Sequence, residues 1–287
     1  MSSKKHAAKS GNKKVGSMRP LKSLGQNFLT DEEVIEAIVE GSGVDGGSLV
    51  IEIGPGTGVL TCPLAERAAR LVAVELDERM IEPLRVKTFE YGNTEILNAD
   101  ILKTDLNEII DRECADYDIT NVRIVGNLPY YITTPIIMKL LEEGVRAESI
   151  TVMMQKEVGD RIAAAPGTKN SGAITYAVHY YADVSRVTDA GRECFYPVPK
   201  VDSVVLRMDI LKERPVSVDN EELFFRCIKA GFTQRRKTLL NSLNLLEEYD
   251  KESIAGALAA AGIDPVRRAE SLTMEEFAAL SNALREA

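Results

Sequence analysis

The sequence contains no tryptophan, only two histidines, and four widely separated cysteines, which are Cys62, Cys114, Cys194 and Cys227. No cysteine pair has the Cys-x-x-Cys spacing, and two histidines cannot complete a common zinc ligand set, so we expect no metal site. The same count argues against a His-based catalytic triad, and His179, within Tyr176–Tyr181, is expected to be structural. Scattered thiols are typical of proteins from a reducing compartment.

Long apolar runs are also absent. No stretch of about 18 apolar residues occurs, so no membrane span is expected. The start of the chain, Met1–His6, is too polar for a secretory signal, and we expect a cytoplasmic protein. With 287 residues and 45% hydrophobic content, the chain can form one large domain or one domain with a small appendage.

Positive charge is in the minority, with 35 basic against 44 acidic residues and a net charge of −9. That balance is unusual for a nucleic-acid-binding protein. However, residues 1–22 contain seven lysines or arginines and no acidic residue, and local charge governs phosphate binding. We predict a disordered basic arm over residues 1–20, which either contacts RNA or only keeps the chain soluble.

Strand and helix patterns alternate along most of the chain. Apolar runs predict strands over residues 49–53, 71–75, 94–98, 122–125, 150–154 and 204–210. Helices are predicted between them, the first starting at a capping box over Thr30–Glu33. This alternation predicts an α/β fold with a Rossmann-like, parallel, doubly wound sheet. Functional residues are then expected at the carboxyl ends of the strands.

The pattern changes after about residue 212, where only short helices are predicted, over residues 224–232, 236–246 and 254–261. We therefore predict a catalytic domain over residues 21–212 and a small α-helical domain over residues 213–287. The second contains Arg235, Arg236 and Lys237, predicted at a helix start and suited to RNA phosphates. A solvated helix face is the alternative interpretation of this cluster.

A glycine-rich loop, Glu52–Gly58, follows the first long strand. Gly54 and Gly56 belong to a Gly-x-Gly-x-Gly spacing, which differs from the Gly-x-Gly-x-x-Gly of dinucleotide sites. Glu75 ends the next strand and could accept both ribose hydroxyls, and Asp100 ends the third, near an adenine amino group. Because no diphosphate clamp is evident, we predict S-adenosylmethionine rather than NAD. The alternative is that Glu75 and Asp100 only cap the following helices.

The stretch Asn127–Tyr130 ends another strand and suits a flat base with an exocyclic amino group. The Asn127 side-chain oxygen and a backbone carbonyl of Leu128 or Pro129 could accept the two amine hydrogens, and Tyr130 could stack on the base. Phe195 is a candidate second stacking residue. The base would have to leave its helix to enter such a pocket. A plain strand-ending turn, with Phe195 in the core, is the alternative.

These motifs together resemble the ribosomal RNA adenine dimethyltransferases, the KsgA group and its archaeal and eukaryotic counterparts, with this chain as an archaeal-type member. The resemblance is carried, in family order, by residues 24–29, 52–56, 74–77, 98–100, 126–130, 155–157, 197–203 and 232–239. It implies dimethylation, from S-adenosylmethionine, of the N6 amines of two adjacent adenosines in a hairpin near the 3′ end of small-subunit rRNA. It also implies a role in small-subunit biogenesis, with the subunit or its precursor as partner, and we expect a monomer.

The resemblance also assigns roles to individual residues. Asn27 and Leu29 should contact the cofactor, Gly54 should lie under its methionine part, and Asn127 should touch both cofactor and target amine. Tyr131 departs from the pattern, since bacterial members usually carry Asn there. Three rivals remain: a large-subunit rRNA methyltransferase, which usually has Ile at position 128; a DNA adenine methyltransferase, which typically has Asp-Pro-Pro-Tyr; and an assembly or transcription factor that binds without depending on methylation.

Overall fold

A seven-stranded sheet organises the chain in the computed structural model, which describes Leu21 and residues 25–286. The basic arm predicted over residues 1–20 lies outside these described residues. In chain order the strands are β1 (Phe28–Leu29), β2 (Ser48–Ile53), β3 (Arg70–Glu75), β4 (Thr94–Asn98), β5 (Asn121–Asn127), β6 (Ser149–Gln155), β7 (Ala182–Ala190), β8 (Phe195–Tyr196) and β9 (Ser203–Ile210).

The strand order is β4-β3-β2-β5-β6-β9-β7. The first five strands are parallel, as predicted, and their carboxyl ends meet at one edge of the sheet. The last two are not: β9 runs antiparallel to β6, and β7 runs antiparallel to β9. The prediction of a parallel sheet was therefore wrong for these two strands at one edge. Strands β1 and β8 form a separate two-stranded antiparallel pair.

Eleven α-helices connect and cover the strands within the described residues. They are α1 (Glu32–Ser42), α2 (Thr61–Arg67), α3 (Glu78–Thr88), α4 (Leu106–Asp116), α5 (Thr133–Glu142), α6 (Lys156–Ile162), α7 (Ala173–Tyr181), α8 (Glu221–Thr233), α9 (Leu239–Leu243), α10 (Lys251–Ala260) and α11 (Met274–Arg285). None of the helices in this part of the chain combines the length and the hydropathy needed to cross a bilayer.

The first helix begins one residue later than the predicted capping box. Asp31 is its N-cap, and the Asp31 carboxylate accepts a hydrogen bond from the Val34 amide at 3.0 Å. Thr30 instead donates its hydroxyl to the Cys194 carbonyl at 3.0 Å. Asp and Thr are both good N-caps, so the spacing alone did not distinguish them.

His179 lies in α7, where its Nε2 is 3.0 Å from the carbonyl oxygen of Ile162. Burial lowers the pKa of the imidazole below its usual value, so burial favours the neutral form. A neutral ring bonded to a backbone carbonyl agrees with the structural role expected for it.

Beyond residue 212 the described part of the chain contains helices and connecting turns but no strand, as predicted. The helix predicted over residues 236–246 is shorter, however, and Arg235, Arg236 and Lys237 lie in the turn between α8 and α9, closed by the Lys237 amide on the Gln234 carbonyl at 2.8 Å. One apolar cluster continues from the sheet into these helices. For example, the Tyr176 ring lies 5.4 Å from that of Phe232 and 5.0 Å from that of Phe277. A domain boundary at residue 212 stays a prediction.

Candidate active site

A cleft opens at the carboxyl ends of β2, β3, β4 and β5, with about 1020 Å³ of non-protein space including its mouth. Its walls come from the segment before α1, the glycine loop, the ends of these strands and the turn after β5. All seven residues predicted to bind the cofactor line this cleft: Asn27, Leu29, Gly54, Gly56, Glu75, Asp100 and Asn127. Adjacent parallel strands account for the convergence, because their ends lie side by side.

Two glycines of the glycine loop have backbone angles that favour glycine, and they differ in what surrounds them. Gly54 and Gly56 have φ of 68° and 54°, the left-handed region that L side chains rarely adopt. A Cβ on Gly54 would meet nothing closer than the Asn127 carbonyl oxygen at 3.9 Å, so this side of Gly54 is open. A Cβ on Gly56 would instead lie 3.3 Å from the Phe28 ring. The loop therefore presents bare backbone to the cleft at Gly54.

Lys87 of α3 holds the loop from the other side. Its ammonium donates hydrogen bonds to the carbonyls of Thr57 at 3.0 Å and Gly58 at 3.2 Å. Beneath the loop lies Glu52, which is 1% exposed. Burial raises the pKa of this carboxyl to about 8, so at neutral pH the protonated form is favoured.

Glu75 connects the glycine loop to the next turn. Its carboxylate accepts hydrogen bonds from the amides of Gly56 at 3.0 Å and Asp77 at 2.8 Å. Burial raises the pKa of the Glu75 carboxyl, since desolvation outweighs these two bonds. Glu75 thus bonds nearby backbone amides but does not cap the following helix, whose N-cap is Asp77, and the Glu75 side chain lines the cleft.

Asp77 ties the segment before α1 to this turn. The Asp77 carboxylate accepts from the Gln26 amide nitrogen at 2.9 Å and from the Arg79 guanidinium. The Arg79 hydrogen bond, with help from Gln26, lowers the pKa of Asp77 to about 2. Asp100 has a similar local bond, since it accepts from the Leu102 amide at 3.0 Å while lining the cleft.

Asn127 stands between the two halves of the cleft. Its Nδ2 donates to the Asn27 carbonyl at 3.3 Å, which directs the amide oxygen away as the remaining acceptor. The carbonyl of Pro129 already accepts from the Ile132 amide at 3.1 Å and the Thr133 hydroxyl at 3.0 Å. Of the two carbonyls considered from the sequence, that of Leu128 is therefore the better candidate for a second acceptor.

Two adjacent tyrosines line the same cleft in different ways. The Tyr130 hydroxyl lies 2.7 Å from the Ser203 hydroxyl, and burial raises its pKa. The Tyr131 ring is 56% exposed and packs against Gly25, where an added Cβ would meet it at 3.2 Å. The residue that departs from the family pattern thus lies at the rim.

Phe195 is not among the residues that line the cleft. Its side chain is 3% exposed and belongs to a hydrophobic cluster with Phe28 and Leu29, and Leu29 is its partner in the β1–β8 pair. Stacking of Phe195 on a base would require the ring to become exposed. That role stays a prediction.

The predicted phosphate-binding residues lie apart from this lining. Arg235 donates to the Ser171 carbonyl at 3.3 Å and lies 3.8 Å from the Glu270 carboxylate, while Arg236 and Lys237 are exposed. A second, shallow cleft beside Arg235 mixes three cations with three acids: Arg161, Lys169, Arg235, Glu157, Asp160 and Glu270. Among the described residues, no group of three or more His, Cys, Asp or Glu side chains could hold a metal ion.

Sequence analysis assigned no role to four residues that position the site, namely Gln26, Asp77, Lys87 and Ser203, although all but Lys87 lie within the motifs that carry the family resemblance. Their contacts join parts of the chain that are distant in sequence. Asp77 gave one signal, since an acid directly after a strand commonly caps the following helix, which it does here through the Arg79 amide at 3.2 Å.

A family model described as Ribosomal RNA adenine dimethylase matches residues 19–286. The chain belongs to this family. A relative from Geobacillus thermodenitrificans, named Ribosomal RNA small subunit methyltransferase A, is 50% identical over 266 residues, covering 92% of this chain and 90% of the relative. A protein of the same name from Alkaliphilus oremlandii is 47% identical, with 92% and 91% covered. The archaeal-type qualifier stays a prediction.

Solved structures identify the fold as that of class I methyltransferases. A dimethyladenosine transferase from Plasmodium falciparum has a TM-score of 0.74 at 24% identity, covering 88% of this chain and 95% of that one. The 23S rRNA methyltransferase ErmE has a TM-score of 0.66 at 27% identity, with 90% and 99% covered. The family methylates with S-adenosylmethionine, and the open face of Gly54 beside Glu75 and Asp100 fits an adenosyl group.

Proposed function

We propose that this dimethylase converts two adjacent adenosines, in a hairpin near the 3′ end of small-subunit rRNA, to N6,N6-dimethyladenosine during small-subunit biogenesis. One observation carries the proposal: a single cleft joins the glycine loop and two strand-end carboxylates to Asn127–Tyr130. The small-subunit target is supported by relatives of 47–50% identity that are named for that subunit. The similarity to ErmE is weaker, at 27%.

Each wall of the cleft has a proposed task in binding the cofactor. Gly54 and Gly56 let backbone approach the methionine part, Glu75 accepts the ribose hydroxyls and Asp100 accepts the adenine amine. Asn27 and Leu29 cover the site from the segment before α1, which Gln26 fastens to Asp77. When bound, S-adenosylmethionine supplies a methyl group on a positively charged sulfur, which is an electrophile for an amine.

The opposite wall prepares the target amine. An adenine amino nitrogen is a weak nucleophile because its lone pair is delocalised into the ring. The Asn127 amide oxygen and the Leu128 carbonyl accept its two hydrogens, which favours a tetrahedral nitrogen with a localised lone pair. Tyr130 stacks on the base and, in the proposal, Phe195 becomes exposed to cover its other face. No strong base is required, because the nitrogen loses a proton readily once it is alkylated.

RNA contact is proposed for Arg235, Arg236 and Lys237 in the turn between α8 and α9. Arg236 and Lys237 are exposed, so their charges are accessible to phosphates. In this proposal residues 213–287 form the part that binds the ribosomal subunit, and the protein acts as a monomer in the cytoplasm.

The test is transfer of labelled methyl groups from S-adenosylmethionine into unmethylated small ribosomal subunits, followed by mass spectrometry of the rRNA. We expect dimethyladenosine at two neighbouring positions near the 3′ end. Label in large subunits assayed in parallel, with none in small subunits, would contradict the proposed substrate and favour an ErmE-like enzyme. Tight subunit binding without label would instead favour a binding factor on a methyltransferase fold.

An Asn127→Ala variant tests the chemistry, since it removes an acceptor for the amine. We expect at least a hundredfold loss of methyl incorporation, in the range seen when one positioned hydrogen-bonding group is removed. Asn121→Ala is the matched control: Asn121 begins the same strand and bonds Ser48 at 2.7 Å, outside the cleft lining. Full activity of Asn127→Ala would refute the acceptor pocket.

A further inference from the structure

The Tyr130 ring lines the cleft, and its hydroxyl contacts Ser203, which does not belong to the cleft lining. We propose that Ser203 is a positioning residue that fixes the Tyr130 ring as a stacking surface for the target base. This inference rests on the proposed function, because it concerns the acceptor half of the same cleft. Its evidence is the 2.7 Å separation between the two hydroxyl oxygens and the fixed surroundings of Ser203.

Ser203 is fully buried and begins β9, the strand between β6 and β7. Its backbone is in register with Gln155 on one side and Ala190 on the other, so both neighbouring strands hold it. The preceding residue, Asp202, is also fixed: its carbonyl accepts from the Lys156 amide at 2.9 Å, and its carboxylate accepts from the Arg192 amide at 3.1 Å. The hydroxyl of Ser203 is thus a stationary anchor.

The backbone end of Tyr130 is equally constrained. The Leu128 amide donates to the Met153 carbonyl at 3.1 Å, and the Pro129 carbonyl accepts two hydrogen bonds from the first turn of α5. With its backbone fixed by this turn and its hydroxyl held by Ser203, the ring cannot swing about the Cα–Cβ bond without breaking the Ser203 contact. Such preorganisation lowers the entropy lost when a base stacks on the ring.

The same bond limits what the tyrosine can do chemically. Its hydroxyl is engaged with Ser203, and burial raises its pKa, so Tyr130 contributes a ring face and not a proton acceptor. Two methyl groups must reach the same nitrogen, and a base that leaves a loosened pocket after the first transfer is released as monomethyladenosine. The anchor is therefore expected to favour completion of the second transfer.

Ser203→Ala and Tyr130→Phe each remove the bond while retaining the ring. For both variants we expect kcat for methyl incorporation to fall about tenfold, in line with the loss of one buried hydrogen bond. The ratio of monomethyl- to dimethyladenosine should rise, and the Kd for S-adenosylhomocysteine should not change. Because both changes break the same hydrogen bond, the double variant should be no less active than the less active of the two single variants.

Ser42→Ala is the matched control, since Ser42 is also a fully buried serine, ends α1 and donates its hydroxyl to the Val39 carbonyl at 2.6 Å, outside the cleft lining. It should leave rate and product ratio unchanged. If Ser203→Ala does not fold, Tyr130→Phe measures the loss of the same bond from the other side.

The inference is overturned if Ser203→Ala or Tyr130→Phe keeps the wild-type rate and product ratio, or if their losses multiply in the double variant. Absence of methyl transfer by the wild-type protein on small subunits would instead refute the proposed function, which keeps the two failures distinguishable.

Discussion

Replacing Gly54 with alanine should weaken binding of the cofactor while the protein stays folded. The residue has φ of 68°, so alanine there should cost roughly 1–2 kcal/mol of unfolding free energy. The added methyl group meets no protein atom within 3.8 Å, but it enters the space proposed for the methionine part of the cofactor. Overpacking of that contact by one methyl costs about 1–3 kcal/mol, which corresponds to roughly 5- to 150-fold weaker binding.

Gly92→Ala provides the matched control for this variant. Gly92 has φ of 69° and no atom within 4 Å of an added Cβ, and it does not line the cleft. Both variants should therefore lose similar stability in chemical unfolding, and only Gly54→Ala should lose affinity for S-adenosylhomocysteine in calorimetry. Wild-type affinity in Gly54→Ala, with the stability loss present, would show that the cofactor does not pass over Gly54.

Two further predictions concern charge. The pKa of Glu52 is raised from 4.5 to about 8 in the folded state, so wild type should lose up to about 1.4 kcal/mol of stability per pH unit between these values. Glu52→Gln should then gain stability relative to wild type as pH rises through this interval in urea unfolding; a constant difference would contradict the buried acid. The double change of Arg236 and Lys237 to alanine should reduce the slope of log affinity for subunits against log salt by about two and leave cofactor affinity unchanged. An unchanged slope would remove both residues from the RNA contact.

The parts of the fold that could be predicted from sequence were those with a clear apolar pattern. Strands β2, β3 and β6 are almost fully buried and are largely apolar, which is typical of parallel strands covered on both faces. Strand β7 was missed because most of Ala182–Ala190 is exposed or half-buried and polar, so its pairing with β9 has no signature in its own residues. Strand β9 was predicted, but its antiparallel direction was not.

The residues that line the site could be predicted from the sequence, but the hydrogen bonds that join them could not. Residues at strand ends converge because neighbouring parallel strands end together, so motif positions were sufficient for Gly54, Glu75 and Asp100. The bonds from Gln26 to Asp77 and from Tyr130 to Ser203 join residues 51 and 73 positions apart, and no local pattern specifies them. For Phe195 the motif indicated a stacking role, but the sequence could not show that the side chain is buried by packing against β1.

The pairing of β1 with β8 has a consequence for how the two substrates bind. The Thr30 amide and hydroxyl both donate to the Cys194 carbonyl, at 2.8 and 3.0 Å, next to the paired residues Leu29 and Phe195. Strand β1, in the segment that closes the cofactor side of the cleft, is thus joined by backbone hydrogen bonds to strand β8, which contains Phe195. If exposure of that ring shifts β8, the shift reaches β1, and the two binding equilibria are linked. By thermodynamic reciprocity, if bound cofactor changes the affinity for RNA by some factor, bound RNA changes the affinity for the cofactor by the same factor.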